Sequence, residues 1–388
     1  MESCDAVVVG GGPAGSTCAW RLRQASLDVV VLDRAAFPRD KVCAGWLTPQ
    51  VVEELELDVA AYRRGRVFQA ITGFRTGRLG GREVETRFRA PVSYGIRRCE
   101  LDHYLLDRSG ARVKVGSLDT LDRRGGGWVV NGALRAPIVV GAGGHFCPVA
   151  RRLGARPSGA DVVAAQEIEF VMDPLQERDC KVDAETPELY FSRDLRGYGW
   201  CFRKERVLNV GFGRLDERRF SAQVRAFAEF LAARGKLPPG TPSRWKGHAY
   251  SVYTDVGRPL LDDGVLLVGD AAGLAYPESG EGIRPAVESG LIAARTILDA
   301  DGRYGRDALE PYARAVEGRF GRRRPCGRTV VPALAVAALG AAVLATPWLA
   351  RRLVVETWFL HRRLPALRWR HGTMDGLPRA GPVAASAG

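Results

Sequence analysis

The apolar run Ala6-Val-Val-Val9 is followed at once by Gly10-Gly-Gly12-Pro13-Ala14-Gly15. A β-branched strand therefore feeds a glycine loop, and the loop feeds a helix. A second run, Asp28-Val-Val-Val-Leu-Asp33, ends in an acid. A strand–loop–helix–strand unit with glycines at this spacing holds the pyrophosphate of a dinucleotide. Gly10 permits the tight turn, Gly12 lets backbone amides approach the pyrophosphate, and Gly15 lets helix and strand pack closely. The helix start offers unpaired N–H groups and the positive end of its dipole to the phosphates. Asp33 is placed to accept hydrogen bonds from the adenosine ribose.

Three further segments narrow the dinucleotide to FAD. In Val268-Gly269-Asp270-Ala-Ala-Gly273 a buried strand delivers Asp270 beside the ribityl chain and pyrophosphate. The following Pro277-Glu-Ser-Gly280-Glu-Gly282-Ile283 is a glycine-rich turn that aims a helix N-terminus at the flavin ring. Positive potential there stabilises negative charge at flavin N1 and O2. Arg98 lies three residues before Leu101-Asp102 and brings a cation to the diphosphate, with Arg97 as its neighbouring alternative. Val139-Val-Gly141-Ala-Gly143-Gly144 ends a strand at the nucleotide crevice.

Tyr198, Trp200 and Phe202 alternate along one strand and so share a face. That face either lines an apolar slot for a flat or isoprenoid substrate or forms ordinary sheet core. Cys43, in the loop Lys41-Val-Cys43-Ala44-Gly45, either gates or protonates substrate beside the flavin or is a plain buried thiol. The five histidines, His103, His145, His248, His361 and His371, lack metal-ligand spacing, so structural roles are expected. Trp245 and Trp348 read as packing residues.

The elements that position these groups alternate in type. Nucleotide-fold strands occur at the start, near residue 138 and near residue 265, with β-rich sequence between them. The expected fold class is α/β (α+β overall): a Rossmann-like FAD-binding domain, an inserted antiparallel-sheet substrate domain and a helical C-terminal region. The expected boundaries are 1–75, 96–150 and 255–310 for the first, 76–95 and 151–254 for the second, and 311–372 for the third. Residues 373–388 are expected to be a disordered tail.

At 388 residues the chain can bury more than one core, and its formal net charge of +13 favours anionic partners. Nucleic acid is not expected among them, because no recognition helix, zinc or RNA-binding signature occurs. The eight cysteines form no C-x-x-C pair, which fits a reducing, cytoplasmic compartment. Thr329–Ala350 carries no charge, is broken by Pro332 and Pro347, and is flanked by Arg322-Arg-Arg324 and Arg351-Arg352. A helical segment packed on the core or lying peripherally on an anionic membrane surface is expected there, in preference to a span.

On these motifs the chain resembles the geranylgeranyl reductase family of FAD-dependent oxidoreductases, on the p-hydroxybenzoate hydroxylase-type fold. The glycine fingerprint, the Lys41–Gly45 loop, Arg98 through Asp102, the Gly269–Ile283 block and Tyr198-Gly-Trp200-Cys-Phe202-Arg-Lys204 carry the resemblance, which extends to about residue 320. The last segment is similar to that family's Y-x-W-x-F-P-K. The resemblance implies FAD bound by Gly10, Gly12, Pro13, Ala14, Gly15, Asp33, Arg34, Lys41, Cys43, Ala44, Arg98, Gly143, Gly269, Asp270, Gly280, Gly282 and Ile283. It implies catalytic roles for Cys43, Tyr198, Trp200 and Phe202, and no metal. The implied reaction saturates carbon–carbon double bonds of a polyprenyl or other apolar lipid substrate, with NAD(P)H or ferredoxin as electron donor. Two departures stand out. Gly143-Gly144 replaces the usual Asp-Gly and removes a carboxylate near the diphosphate and the nicotinamide path. Arg203 replaces the proline and adds a charge beside the proposed slot. A flavin monooxygenase or halogenase is the rival reading, although the W-x-W-x-I-P segment of a halogenase is absent. A membrane-surface flavin electron carrier is the third.

Overall fold

The computed structural model describes residues 1–155, 162–215, 220–254, 258–323, 333–370 and 373–377. Two apolar runs of the N-terminal unit become strands β1 (Ala6–Val9) and β2 (Val29–Asp33), joined by helix α1 (Pro13–Gln24). Every residue of both strands is buried, as expected of parallel strands covered on both faces. With β3 (Ile138–Gly141) they form a six-stranded sheet in the order Leu261–Asp262, Val265–Leu267, β3, β1, β2, Arg112–Val115. All pairings are parallel except the edge hairpin Leu261–Asp262/Val265–Leu267. The turn after β1 requires glycine: Gly10 has φ +115°, and a Cβ there would lie 2.4 Å from the Ala142 carbonyl oxygen. A Cβ at Gly15 would lie 1.9 Å from the Gly10 carbonyl oxygen. Helix α2 (Ile283–Ala300) packs along α1 and points its N-terminus at the same crevice.

A seven-stranded sheet builds the second lobe. Its central strands are β4 (Val162–Val171), β5 (Gly197–Lys204) and β6 (Val207–Arg214), antiparallel in the order β4, β6, β5. Helix Phe220–Ala232 covers one face through Val224, Phe227 and Leu231. The other face turns toward the nucleotide lobe. Strands Lys246–Ser251, Glu188–Phe191, Gly73–Arg78 and Glu83–Arg87 complete this sheet, so the chain enters the second lobe at Gly73, before residue 76. Trp46–Leu47, Phe68–Ile71 and Ser93–Ile96 form a small sheet between the lobes.

After helix Arg306–Phe320, the C-terminal region contains α3 (Ala333–Ala345), then Pro347–Leu349 and a π-helical stretch Ala350–Phe359. The two arms meet at 95°. The region is not wholly helical: Arg368–Arg370 pairs antiparallel with Thr373–Asp375. Residues 373–375 were expected in the tail, but Trp369, Met374 and Leu377 pack against the nucleotide core and hold the hairpin. Residues 378–388 lie outside the described residues, as do His371 and Cys326.

A buried charge cluster fastens this region to α2. Arg284 and Glu288 of α2, Arg319 and Glu54 all have side chains at most 2% exposed. Glu288 accepts Arg284 Nε at 2.7 Å and Arg319 Nη2 at 2.5 Å. The two guanidinium groups also donate to the Leu364 and Pro365 carbonyls, and Glu54 accepts the Leu367 amide at 3.1 Å. Burial pushes the Glu54 carboxyl well up, with Glu288 adding to it. Burial also opposes ionisation of Glu288, but Arg319 and Arg284 outweigh it and keep that carboxylate charged. Arg319→Met leaves a buried carboxylate short of a partner. It is expected to lower unfolding free energy by about 3–5 kcal/mol, read from urea denaturation; an unchanged midpoint would show the cluster to be energetically idle.

Candidate active site

A cavity of about 610 Å³ lies between the two sheets. Its first half is built from strand ends and helix starts. Gly10, Gly12, Pro13, Ala14, Asp33, Arg34, Arg98, Gly143, Asp270, Gly282 and Ile283 line it. Helices α1 and α2 both begin on glycine, Gly12 and Gly282, which supply no capping side chain. At α1 the first-turn N–H groups are thus left for a ligand, whereas at α2 the Glu281 side chain turns back to accept the Arg284 amide at 2.7 Å. Asp33 accepts the Gly11 amide at 2.8 Å and the Ala35 amide at 3.0 Å, which fixes its carboxylate at the end of β2. Arg39, absent from the sequence reading, stands across the cavity mouth with Nη1 3.5 Å from Asp102.

The choice between Arg97 and Arg98 is decided by partners. Arg98 makes a two-pronged contact with Asp102 at 2.8 and 2.9 Å and lines the cavity. Burial works against its charge, but Asp102 and Cys43 outweigh burial and hold it protonated. Arg97 turns away to Glu100 and Glu169.

The second half of the cavity is aromatic and apolar. Trp46, Ala165, Tyr198, Trp200 and Tyr250 line it with Cys43, Ala44 and Gly280. Tyr198 donates to the Ser279 carbonyl, and Trp200 Nε1 donates to Asn209 Oδ1 at 2.7 Å. Phe202 shares their strand face but does not reach the cavity. It is 1% exposed and packs behind Trp46, at 6.3 Å between rings. Gly15 and Gly269 also lie behind the wall. Gly269 donates its amide to Ser289 Oγ instead. Arg203 points to the opposite side of β5, donating to the Glu205 and Glu177 carbonyls, so its charge stays out of the slot.

The loop carrying Cys43 is latched to the second sheet. Glu167 accepts the Cys43 amide at 2.8 Å, and Asn209 Nδ2 donates to the Cys43 carbonyl at 3.1 Å. Lys204 is 1% exposed and spends all three donors: on Ala44 O at 3.0 Å, Ile96 O at 2.9 Å and Glu169 at 2.7 Å. The sequence reading missed Glu167, Glu169 and Asn209. Their signal was available: polar residues on the inward parity of otherwise apolar strands. Lys204 sat inside the quoted aromatic segment without a role.

Three titratable groups in the cavity, and Glu167 behind its wall, were also missed or misjudged. Burial pushes the Glu167 carboxyl up to about 7. Glu281 is likewise raised to about 7 by burial; its Oε1 accepts the Arg284 amide at 2.7 Å, while Oε2 has no hydrogen-bond partner. His145 and His248, expected to be structural, both line the cavity. Lys41 Nζ lies 2.5 Å from His248 Nε2. Burial lowers Lys41 to about 8, and burial plus Lys41 lowers His248 to about 2, so the neutral imidazole accepts. Among the described residues no group of three or more His, Cys, Asp or Glu could hold a metal ion.

Comparison with known proteins agrees with a flavin site. A family model described as FAD dependent oxidoreductase matches residues 5–92. A menaquinone reductase of Mycobacterium tuberculosis is 30% identical over 370 residues, covering 83% of this chain and 81% of the relative. A digeranylgeranylglycerophospholipid reductase of Methanothrix thermoacetophila is 29% identical over 347 residues, covering 82% and 84%. The crystal structure of a geranylgeranyl bacteriochlorophyll reductase-like protein from Thermoplasma acidophilum superposes with a TM-score of 0.76 at 22% identity, covering 94% and 99%. FAD fits the cavity: the uncapped start of α1 and a glycine turn that no Cβ could enter face its phosphates. Asp33 and Arg98 stand at its polar end. Lys204→Met is expected to release the Cys43 loop and strand Glu169, costing about 3 kcal/mol of stability. FAD affinity, followed by flavin fluorescence, should fall at least about tenfold; unchanged affinity would separate the latch from the cofactor.

Proposed function

Because the chain belongs to the geranylgeranyl reductase family of FAD-dependent oxidoreductases, we propose that it reduces carbon–carbon double bonds of a polyprenyl lipid. One observation carries this reading: an aromatic wall of Trp46, Tyr198 and Trp200 faces the start of α2 inside one cavity. FAD held by the glycine turn, Asp33 and Arg98 would supply the hydride chemistry of a reduced flavin to the alkene. The protein residues do the rest. The aromatic wall orients an apolar chain and excludes water from it. Cys43, held by Glu167 and Asn209, fixes the floor of the slot, with its sulfur 3.4 Å from the Gly45 amide. Glu281 holds a proton at its unpartnered Oε2 and gives it to the second alkene carbon. The carboxylate left behind regains a proton from solvent, so one hydride and one proton saturate one bond.

The names of the relatives favour an isoprenoid lipid over a small polar substrate. NAD(P)H or a ferredoxin reloads the flavin. No carboxylate stands at Gly143-Gly144, which favours a donor that needs no nicotinamide path there.

The test is anaerobic reoxidation of the dithionite-reduced holoenzyme by a geranylgeranyl lipid. Flavin oxidation by the lipid alone, with a product heavier by two hydrogens per bond, is the expected result. Oxidation only after oxygen is admitted would favour a monooxygenase or halogenase, and oxidation by neither would favour an electron carrier. Glu281→Gln should keep the bound-flavin spectrum and slow lipid-driven reoxidation by about 100-fold. The proton is present below the raised carboxyl value and lost above it. Wild-type rate should therefore fall as pH rises through about 7, and this limb should vanish in the variant. A variant that keeps both the rate and the limb would assign the proton elsewhere.

A further inference from the structure

Helix α3 reads Ala-Leu-Ala-Val-Ala-Ala-Leu-Gly-Ala-Ala-Val-Leu-Ala, without a polar residue on any face. A helix apolar all round is normally buried in protein or in lipid. This one is half covered. On its inner side Leu344 is buried with Val354, Val355 and Phe359 against Trp46 and Phe74, and Gly340 seats on the Leu195 side chain. On its outer side Ala338, Leu339, Ala342 and Thr346 recur at helical spacing and are exposed. Leu339 is 70% exposed, and beyond the bend Trp348 is 65% exposed.

Charge brackets this apolar surface. Arg351, Arg352, Arg362 and Arg363 are all exposed, and the only acid between residues 333 and 363 is Glu356. Four arginines against one glutamate leave a net +3, and Glu356 is already shared by Arg351, Arg352 and Arg362. Neither arm is long and apolar enough to cross a bilayer alone, and the 95° bend turns the pair aside from a straight span.

We propose that the bent pair 333–359 is an interfacial element that seats the protein on an anionic bilayer. Leu339, Trp348 and Leu353 enter the headgroup–acyl boundary, and the four arginines meet lipid phosphates. Anionic lipid fits this face better than a protein partner does: the surface pairs a featureless Ala/Leu helix with cations, and its one acid, Glu356, is already engaged by three arginines. The placement also has a use. Phe359 stacks on Trp46 at 5.5 Å, and Trp46 lines the cavity. The membrane-facing segment thus forms the back of the apolar slot. The inference concerns the surface and stands whatever alkene is reduced.

The test uses holoenzyme and sedimented vesicles of phosphatidylcholine, with or without one quarter phosphatidylglycerol. Binding is expected on the anionic vesicles, weakening as salt rises from about 50 to about 300 mM. Leu339→Glu/Trp348→Glu should weaken it at least about tenfold while flavin content and circular dichroism stay unchanged. Brominated acyl chains should quench a fluorescence component that Trp348→Phe removes. No sedimentation with either vesicle, or equal binding by the double variant, would overturn the proposal. So would a wild-type dimer in sedimentation velocity that the double variant dissociates, because a second copy would then be the occupant. The vesicle readout is independent of turnover, so its failure is distinct from failure of the proposed reaction.

Discussion

The ammonium group of Lys204 carries the geometry of this protein. It sits at the end of β5, almost without solvent, and touches three chain segments at once: the Cys43–Gly45 loop, the Ser93–Ile96 strand and β4 through Glu169. A buried ammonium is costly unless every donor is used. Here all three are. The arrangement fixes the separation of the two sheets, because the loop belongs to the nucleotide side and Glu169 to the other. Asn209 repeats the connection one strand over, holding the Cys43 carbonyl and the Trp200 indole together. Cavity width is therefore set by hydrogen bonds between lobes as well as by apolar packing.

A second buried cluster sets the direction of α2. Arg284 lies in the first turn of that helix and cannot move without breaking its bonds to Glu288 and to the Leu364 and Pro365 carbonyls. The helix start that faces the cavity is thus tied to the segment that leads into the C-terminal hairpin. Burial raises the Glu54 carboxyl, while the two guanidinium groups lower that of Glu288, so the acids of the cluster are pushed in opposite directions.

Much of this was legible in the sequence. Continuous β-branched runs identify strands buried on both faces, and glycines at fixed spacing mark where backbone meets phosphate; both signals are local. The alternation of Tyr198, Trp200 and Phe202 correctly gave one face, but parity cannot tell depth along a strand, so Phe202 was placed in a slot it only backs. Arg203 was misplaced for a different reason: parity already puts it on the face opposite Trp200 and Phe202, but the proline it replaces drew attention to the slot. Glu167 and Asn209 escaped notice because their meaning is a contact with a loop more than 120 residues away in the chain, and Glu169 reaches that loop only through Lys204. The histidines were judged by spacing, which speaks to metals and not to a cavity assembled from distant strands.

The C-terminal segment shows why composition alone could not choose between core and membrane. Its inner residues meet every criterion of a core helix, closing over Trp46 and Phe74. Its outer residues meet the criteria of a lipid-facing one. A helix with no polar face has no preferred orientation from its own amphipathicity, so the fold decides which side is covered. The decision rests on Gly340 and Leu344, whose close seating against Leu195 and the aromatic cluster turns Leu339 outward. A segment that walls an apolar cavity with one side cannot present polar side chains there without spoiling the slot. Its other side faces no such requirement, and its apolar character therefore needs an explanation outside the packing of this chain.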